Sequence, residues 1–217
     1  MFEYGLYEEN FELEVKRVME NLGYRVLHYV YVGYKGIISQ IDLLAFGYGN
    51  VICVECKGMD LVKLNFSSRK KVWSYVDVDG REHTFPSARV QNINHIKVLK
   101  GYLLESGCER EIFRKYRIGI PRIVNVNVFK DSLDLTGVSD YLRVDNGIFR
   151  VSDLWMVKDM NPVSRVMMPI REGINDIIYR YAEKNVDISD STKKKHRLYI
   201  EDCKRNHKGL FSTESVL

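Results

Sequence analysis

Cysteine is scarce in this chain, and so are long apolar runs. The four cysteines among 217 residues (Cys53, Cys56, Cys108 and Cys203) are scattered, which excludes a disulfide framework. Cys53 and Cys56 have the spacing of a metal or redox pair but no partner pair elsewhere. Inside a strand, that odd spacing turns the two thiols to opposite faces. They read as small buried core residues. No stretch of 18 apolar residues and no signal-like leader occurs, so the expectation is a reducing, cytoplasmic setting without membrane association. Repeats and low-complexity tracts are missing too. What is there is an ordinary globular balance, 45% hydrophobic and 29% charged, which excludes a disordered chain.

The net charge of +4 is unevenly placed. Residues 193–208 carry seven Lys/Arg against two acids, a local net of +5, so the rest of the chain sums to −1. The basic run Lys193-Lys194-Lys195-His196-Arg197 reads as a solvated helix face or a phosphate contact.

Helical spacing of Phe11, Val15, Val18, Met19 and Leu22 predicts a helix over 6–22, stopped by Gly23. Strands are predicted over 24–32, 37–46 and 51–57, the last two joined as a hairpin through Gly47-Tyr48-Gly49-Asn50. Residues 61–85 read as an inserted strand pair turning at Asp79-Gly80. Pro86 fits the first turn of a helix reaching Ser106. A core strand is predicted over 123–129, and 138–150 is ambiguous. A short helix is expected over 151–159 with Ser152 as its cap. Asn161-Pro162 marks a boundary between a domain of residues 1–160 and a helical, basic extension of 161–217, with helices over 171–184 and 191–207.

Charge stands where buried strands carry none. Asp42 interrupts Gln40-Ile41-Asp42-Leu43-Leu44-Ala45-Phe46, and Glu55 and Lys57 end Val51-Ile52-Cys53-Val54-Glu55-Cys56-Lys57. Burying such groups unpaired is costly. Strand periodicity puts Glu55 and Lys57 on one face, and a hairpin sets Asp42 beside Glu55. Asp42, Glu55 and the Cys56 carbonyl make an oxygen set for a hard ion, Mg2+ or Mn2+. Such an ion activates water against a phosphodiester, and a lysine beside it orients that water or neutralises charge. The duller readings are an edge-strand aspartate and a surface Glu-Lys pair.

The ordered set helix-Glu, strand-Asp, strand-Glu-x-Lys resembles the PD-(D/E)xK nuclease superfamily and, within it, the nuclease-related domain. The matching residues are Phe11-Glu12-x-x-Val15, Gln40-Ile41-Asp42, Val54-Glu55-Cys56-Lys57, Trp73 and Gly80 in the insertion, Pro86 with Gln91, His95 and Leu99, and Leu154. They span roughly residues 6–160. Phe85 and Asp60 depart from the family's common Asn and Gly, and Ile41 stands where the motif has a Pro that this family rarely keeps; none of these removes a ligand or the lysine.

The resemblance implies an α/β, restriction-endonuclease-like core: a mixed, mostly four-stranded sheet flanked by helices, with an inserted β-hairpin and a helical C-terminal extension. It implies phosphodiester hydrolysis, with DNA as the expected nucleic-acid partner. RNA cleavage, or a module that binds without cutting, stays open. A homodimer would suit cutting of both duplex strands.

Asp42, Glu55 and Cys56 would hold the metal, with Lys57, Glu12 and Gln91 catalytic. Glu8 and Glu14 remain alternatives to Glu12 on the same helix. Gln91 and His95, four apart, share a helical face, and alternation turns Gln40 toward the face of Asp42. Arg69, Lys70, Lys71 and Trp73 are the candidate nucleic-acid grip.

Overall fold

The computed structural model describes residues 3–66, 71–136 and 138–186, with side chains from residue 9 onward. In chain order the elements are α1 (Glu3–Asn21), β1 (Arg25–Tyr34), β2 (Ile37–Gly47), β3 (Asn50–Lys57), β4 (Leu61–Asn65), β5 (Val72–Asp77) and β6 (Glu82–Pro86). Then come α2 (Ala88–Glu105), α3 (Cys108–Tyr116), β7 (Ile123–Phe129), α4 (Asp140–Asn146), β8 (Ile148–Arg150), a 3-10 helix (Val151–Asp159) and α5 (Met168–Glu183). No helix among the described residues is long and apolar enough to cross a membrane.

The main sheet has five strands in the order β1-β2-β3-β7-β8. The first three are antiparallel meander partners, and β3-β7 and β7-β8 are parallel. The expected four strands gain a fifth because β8 is only three residues long, too short to show a period of its own. The β2-β3 hairpin forms as expected. Tyr48 and Gly49, with φ of 52° and 71°, make the two-residue turn whose twist matches the strands.

Helices cover both faces. Val51 and Cys53 of β3 face one apolar cluster with Leu99, Leu103, Ile112 and Ile177 from α2, α3 and α5. Ile52, Val54 and Cys56 face the other, with Phe11, Val15 and Met19 of α1 and Leu154 of the 3-10 helix. A strand buried on both sides reads as a continuous apolar run, which is why β3 stands out in the sequence. The cysteine pair divides between the two faces as its spacing requires.

The insertion is a three-stranded antiparallel sheet, β4-β5-β6, where the sequence suggests two strands. Its core holds Leu61, Leu64 and Trp73 against Phe129, Leu133 and Ile148. Pro86 ends β6, and Ser87 caps α2 by accepting from Val90 N. Helices α3 and α4 are not anticipated by the sequence pattern. Ser152 is not a cap; its N–H donates to Asp131 Oδ1 at 3.0 Å.

The helix beyond Asn161-Pro162 packs on the sheet. Ile174, Ile177, Ile178 and Ala182 of α5 join the core with Leu27, Ile41, Leu44 and Phe46. Glu172 Oε1 accepts from Gly49 N at 2.5 Å and Asn175 Nδ2 donates to Asn50 O at 3.1 Å, so α5 is tied to the hairpin turn. The compact unit therefore runs to Val186. The helix expected over 191–207, with its basic run, lies outside the described residues.

Gly147 joins α4 to β8 with φ of 64°, and its carbonyl accepts from Asn127 N at 2.6 Å. A Cβ there would stand 2.4 Å from the Asn125 carbonyl oxygen, a backbone atom that cannot swing aside. Gly147→Ala should therefore cost about 2–3 kcal/mol from left-handed strain and overpacking. A chemical-denaturation midpoint within error of wild type would refute this.

Candidate active site

The β2-β3 ladder stops at Leu43 and Val54. The next residues in that register, Asp42 and Glu55, no longer pair, and the gap between the strands is where the charged groups meet. Regular alternation fails at the same level. Leu27, Val30 and Val32 of β1 all face the α2 layer, as do Ile41, Leu44 and Phe46 of β2. The odd-even order slips around Tyr29 and Asp42. Tyr29 takes up the slip with φ of 54°, the left-handed region, where a non-glycine residue is strained and such strain clusters at functional sites.

Asp42, half-buried, fills the gap: its Oδ2 accepts from Cys56 N at 2.8 Å. In a strand the N–H and carbonyl of one residue face the same neighbour. The Cys56 carbonyl is thereby directed to the same gap as Asp42.

Glu55, 2% exposed, is held from two elements. Lys57 Nζ donates to its Oε1 at 2.6 Å and also to Gln91 Oε1 of α2 at 3.1 Å. His95 Nε2, one turn beyond Gln91, stands 3.2 Å from Glu55 Oε2. A carboxylate oxygen has two lone pairs, so with this one contact the buried oxygen keeps unused acceptor capacity. His95 Nδ1 hydrogen-bonds Ser39 Oγ.

Asn92 fixes the height of α2 over the site. Fully buried, its Nδ2 reaches the carbonyls of Cys53 and Val126, each at 2.9 Å, which anchors the helix to β3 and β7 beside Gln91.

Glu12 approaches from the opposite side of the sheet. Buried at 7% exposure, its Oε2 lies 3.0 Å from His28 Nε2, and it also bonds Tyr29, whose ring stacks on His28. Glu14 is exposed, which removes it as the helix carboxylate of the site, and the side chain of Glu8 lies outside the described residues. Gln40, expected beside Asp42, instead accepts from Tyr31 Oη at 3.1 Å; the slip at Asp42 separates the two.

The carboxylates are driven apart electrostatically. Burial, then the charges of Glu55 and Glu12, push Asp42 well above the usual carboxylate range, against Lys57 and the Cys56 N–H. Burial also pushes Glu55 up, but Lys57 and His95 together outweigh it and hold Glu55 at about 2. Perturbation of this kind, from burial plus named charge partners, marks functional sites. The Cys53 and Cys56 thiols are raised by burial and then by these carboxylates, which disfavours thiolate ligation.

Among the described residues, no three His, Cys, Asp or Glu converge tightly enough to cage a metal ion by themselves. Two carboxylates and a carbonyl around one gap, with an unsatisfied buried oxygen, instead fit an ion that keeps several waters.

The grip expected in the insertion is only partly placed. Arg69 and Lys70 lie outside the described residues, and Lys71 is exposed. Trp73 is a correction: at 1% exposure, packed near Phe66 and Phe85, its ring belongs to the insertion's core and offers no stacking face.

Asp42, Glu55, Lys57 and Gln91 are thus brought together as the sequence pattern anticipates, with Glu12 across the sheet. His95, Ser39, His28 and Tyr29 join them. Of these, only His95 carries a signal in the sequence, its four-residue spacing from Gln91.

No curated protein matches the chain. A family model, the nuclease-related domain, matches residues 7–124, from α1 through the insertion and α2 into β7. That match covers more than half of the 217 residues and spans every site residue named above, and the chain belongs to the nuclease-related domain family.

Proposed function

We propose that this protein is a metal-dependent nuclease that hydrolyses phosphodiester bonds, with DNA as its substrate and Mg2+ as its ion. The observation that carries the reading is the position of Lys57. Its ammonium spans Glu55 Oε1 and Gln91 Oε1, next to Asp42, at an opening in the sheet. A surface ion pair would not be built this way, because Glu55 is buried and shared with a second helix.

Asp42, Glu55 and the Cys56 carbonyl would hold the ion, which supplies charge neutralisation and a water of lowered pKa. Lys57 orients that water or stabilises charge on the attacked phosphate, at a site where fixed donors act with little reorganisation. Gln91 holds the lysine's position from the helix above. Glu12 adds negative charge behind Asp42, which joins burial and Glu55 in favouring the protonated form of Asp42.

A cleavage assay across single-stranded, double-stranded and branched DNA, and RNA, tests the reading. Cutting of DNA is expected with Mg2+ or Mn2+ and none in EDTA. Cutting that persists in EDTA would overturn metal dependence, and cutting of RNA alone would overturn the substrate. Nucleic acid retained without turnover under every metal would make the protein a binding module.

A further inference from the structure

We propose that Ser39 and His95 form a positioning pair that fixes the rotation of the Glu55 carboxylate and thereby sets the affinity of the site for a divalent cation. The inference rests on the metal-site reading above and extends it to two residues outside the oxygen set.

Glu55 is gripped at one oxygen by Lys57, which lies two residues away on the same strand. A single contact from the same strand leaves the carboxylate free to turn about its last bond. The second contact comes from another element: His95 Nε2 of α2, 3.2 Å from Oε2. Two contacts from two directions define the plane of the group.

His95 is itself held. Its other ring nitrogen bonds Ser39 Oγ, on β2, and Ser39 is buried although Ile37 and Ile38 before it are exposed. With Nε2–H directed at the carboxylate, Nδ1 is the acceptor and the serine hydroxyl the donor. The hydroxyl thus selects the tautomer and orientation that present a donor to Glu55. Outer partners of this kind tune metal sites by orienting the ligands.

Three elements therefore converge on one carboxylate oxygen: β3 supplies it, α2 contacts it and β2 fixes the contact. That oxygen is buried and has capacity left for a further partner, as a ligand atom requires.

The test is Mn2+ binding to the full chain by titration calorimetry, without substrate. His95→Ala should weaken binding about 10- to 100-fold. Ser39→Ala should weaken it in the same direction by a smaller factor, with Ser39→Thr near wild type. Because Ser39 acts through His95, the double variant should bind no more weakly than His95→Ala alone. His95→Gln, which keeps bulk and a donor, should recover part of the loss, and this separates orientation from a folding defect. Unchanged affinity in Ser39→Ala, or fully additive losses in the double variant, would overturn the proposal. Asp42→Asn is the control on the underlying reading. If it binds Mn2+ like wild type, the metal site is elsewhere. If it loses binding while His95→Ala does not, only the positioning role fails.

Discussion

Asp42→Asn is expected to abolish cleavage while making the metal-free protein more stable. On the proposed function Asp42 is one of two carboxylate ligands, and its loss should lower turnover by about 10^3-fold or more, roughly 4 kcal/mol of barrier. Stability should move the other way. The Asp42 charge is unfavourable because burial and the neighbouring Glu55 and Glu12 oppose it. The asparagine removes that charge, and its Oδ1 can still accept from Cys56 N in place of the carboxylate. A gain of about 1 kcal/mol is the expected scale.

The pH dependence of that gain comes from its origin. A carboxyl group whose folded pKa is raised binds its proton more tightly in the folded state, so wild-type stability falls as pH rises past the unfolded value of about 3.9. The advantage of Asp42→Asn is therefore full above the folded pKa, shrinks as pH falls through it, and vanishes near pH 3.9. Denaturation in EDTA at neutral and acid pH measures this. Added Mn2+ should then stabilise wild type by mass action and leave the variant nearly unmoved. A variant less stable than wild type in EDTA at neutral pH would show that Asp42 is a structural residue.

The same physics explains which parts of the site are legible in the sequence. Asp42, Glu55 and Lys57 are visible because each breaks an apolar run whose composition demands burial on both faces. Gln91 is visible through helical spacing and family resemblance. Ser39, His28 and Tyr29 are not, because their places depend on the slip in alternation at Tyr29 and Asp42. A strict two-residue period assigns them to the wrong faces, and it misplaces Gln40 for that reason. Trp73 is misread because neighbouring Arg and Lys residues give it the look of a surface aromatic, whereas the insertion needs a core of its own. The dipeptide Asn161-Pro162 breaks local structure without detaching the helix beyond it. The apolar stripe Ile174, Ile177, Ile178 and Ala182 still has to be buried, and the sheet is where it goes.

Lys57→Met should separate three roles that one ammonium combines. Turnover is expected to fall about 10^2- to 10^3-fold, the range for losing a positioned proton-transfer or charge-stabilising group. Divalent-cation binding should not weaken with it, because the substitution removes a positive charge from beside the carboxylates. The metal-free fold should lose about 3 kcal/mol, since methionine keeps the length of the stem but leaves Glu55 buried with the His95 imidazole as its remaining polar neighbour.

That loss has its own pH signature. Glu55 is held at about 2 by Lys57 and His95 against the effect of burial. A depressed carboxylate pKa stabilises the fold above the unfolded value of about 4.3 and stops doing so as pH falls toward the folded value. Wild type and Lys57→Met should accordingly differ most near neutral pH and converge as pH falls from about 4.3 to 2. Mn2+ should restore the variant's stability without restoring its turnover, because the ion can replace the ammonium as a counter-charge but not as the group that faces the water. Recovery of both together would mean that Lys57 only balances charge, and recovery of neither would mean that Glu55 is not a ligand.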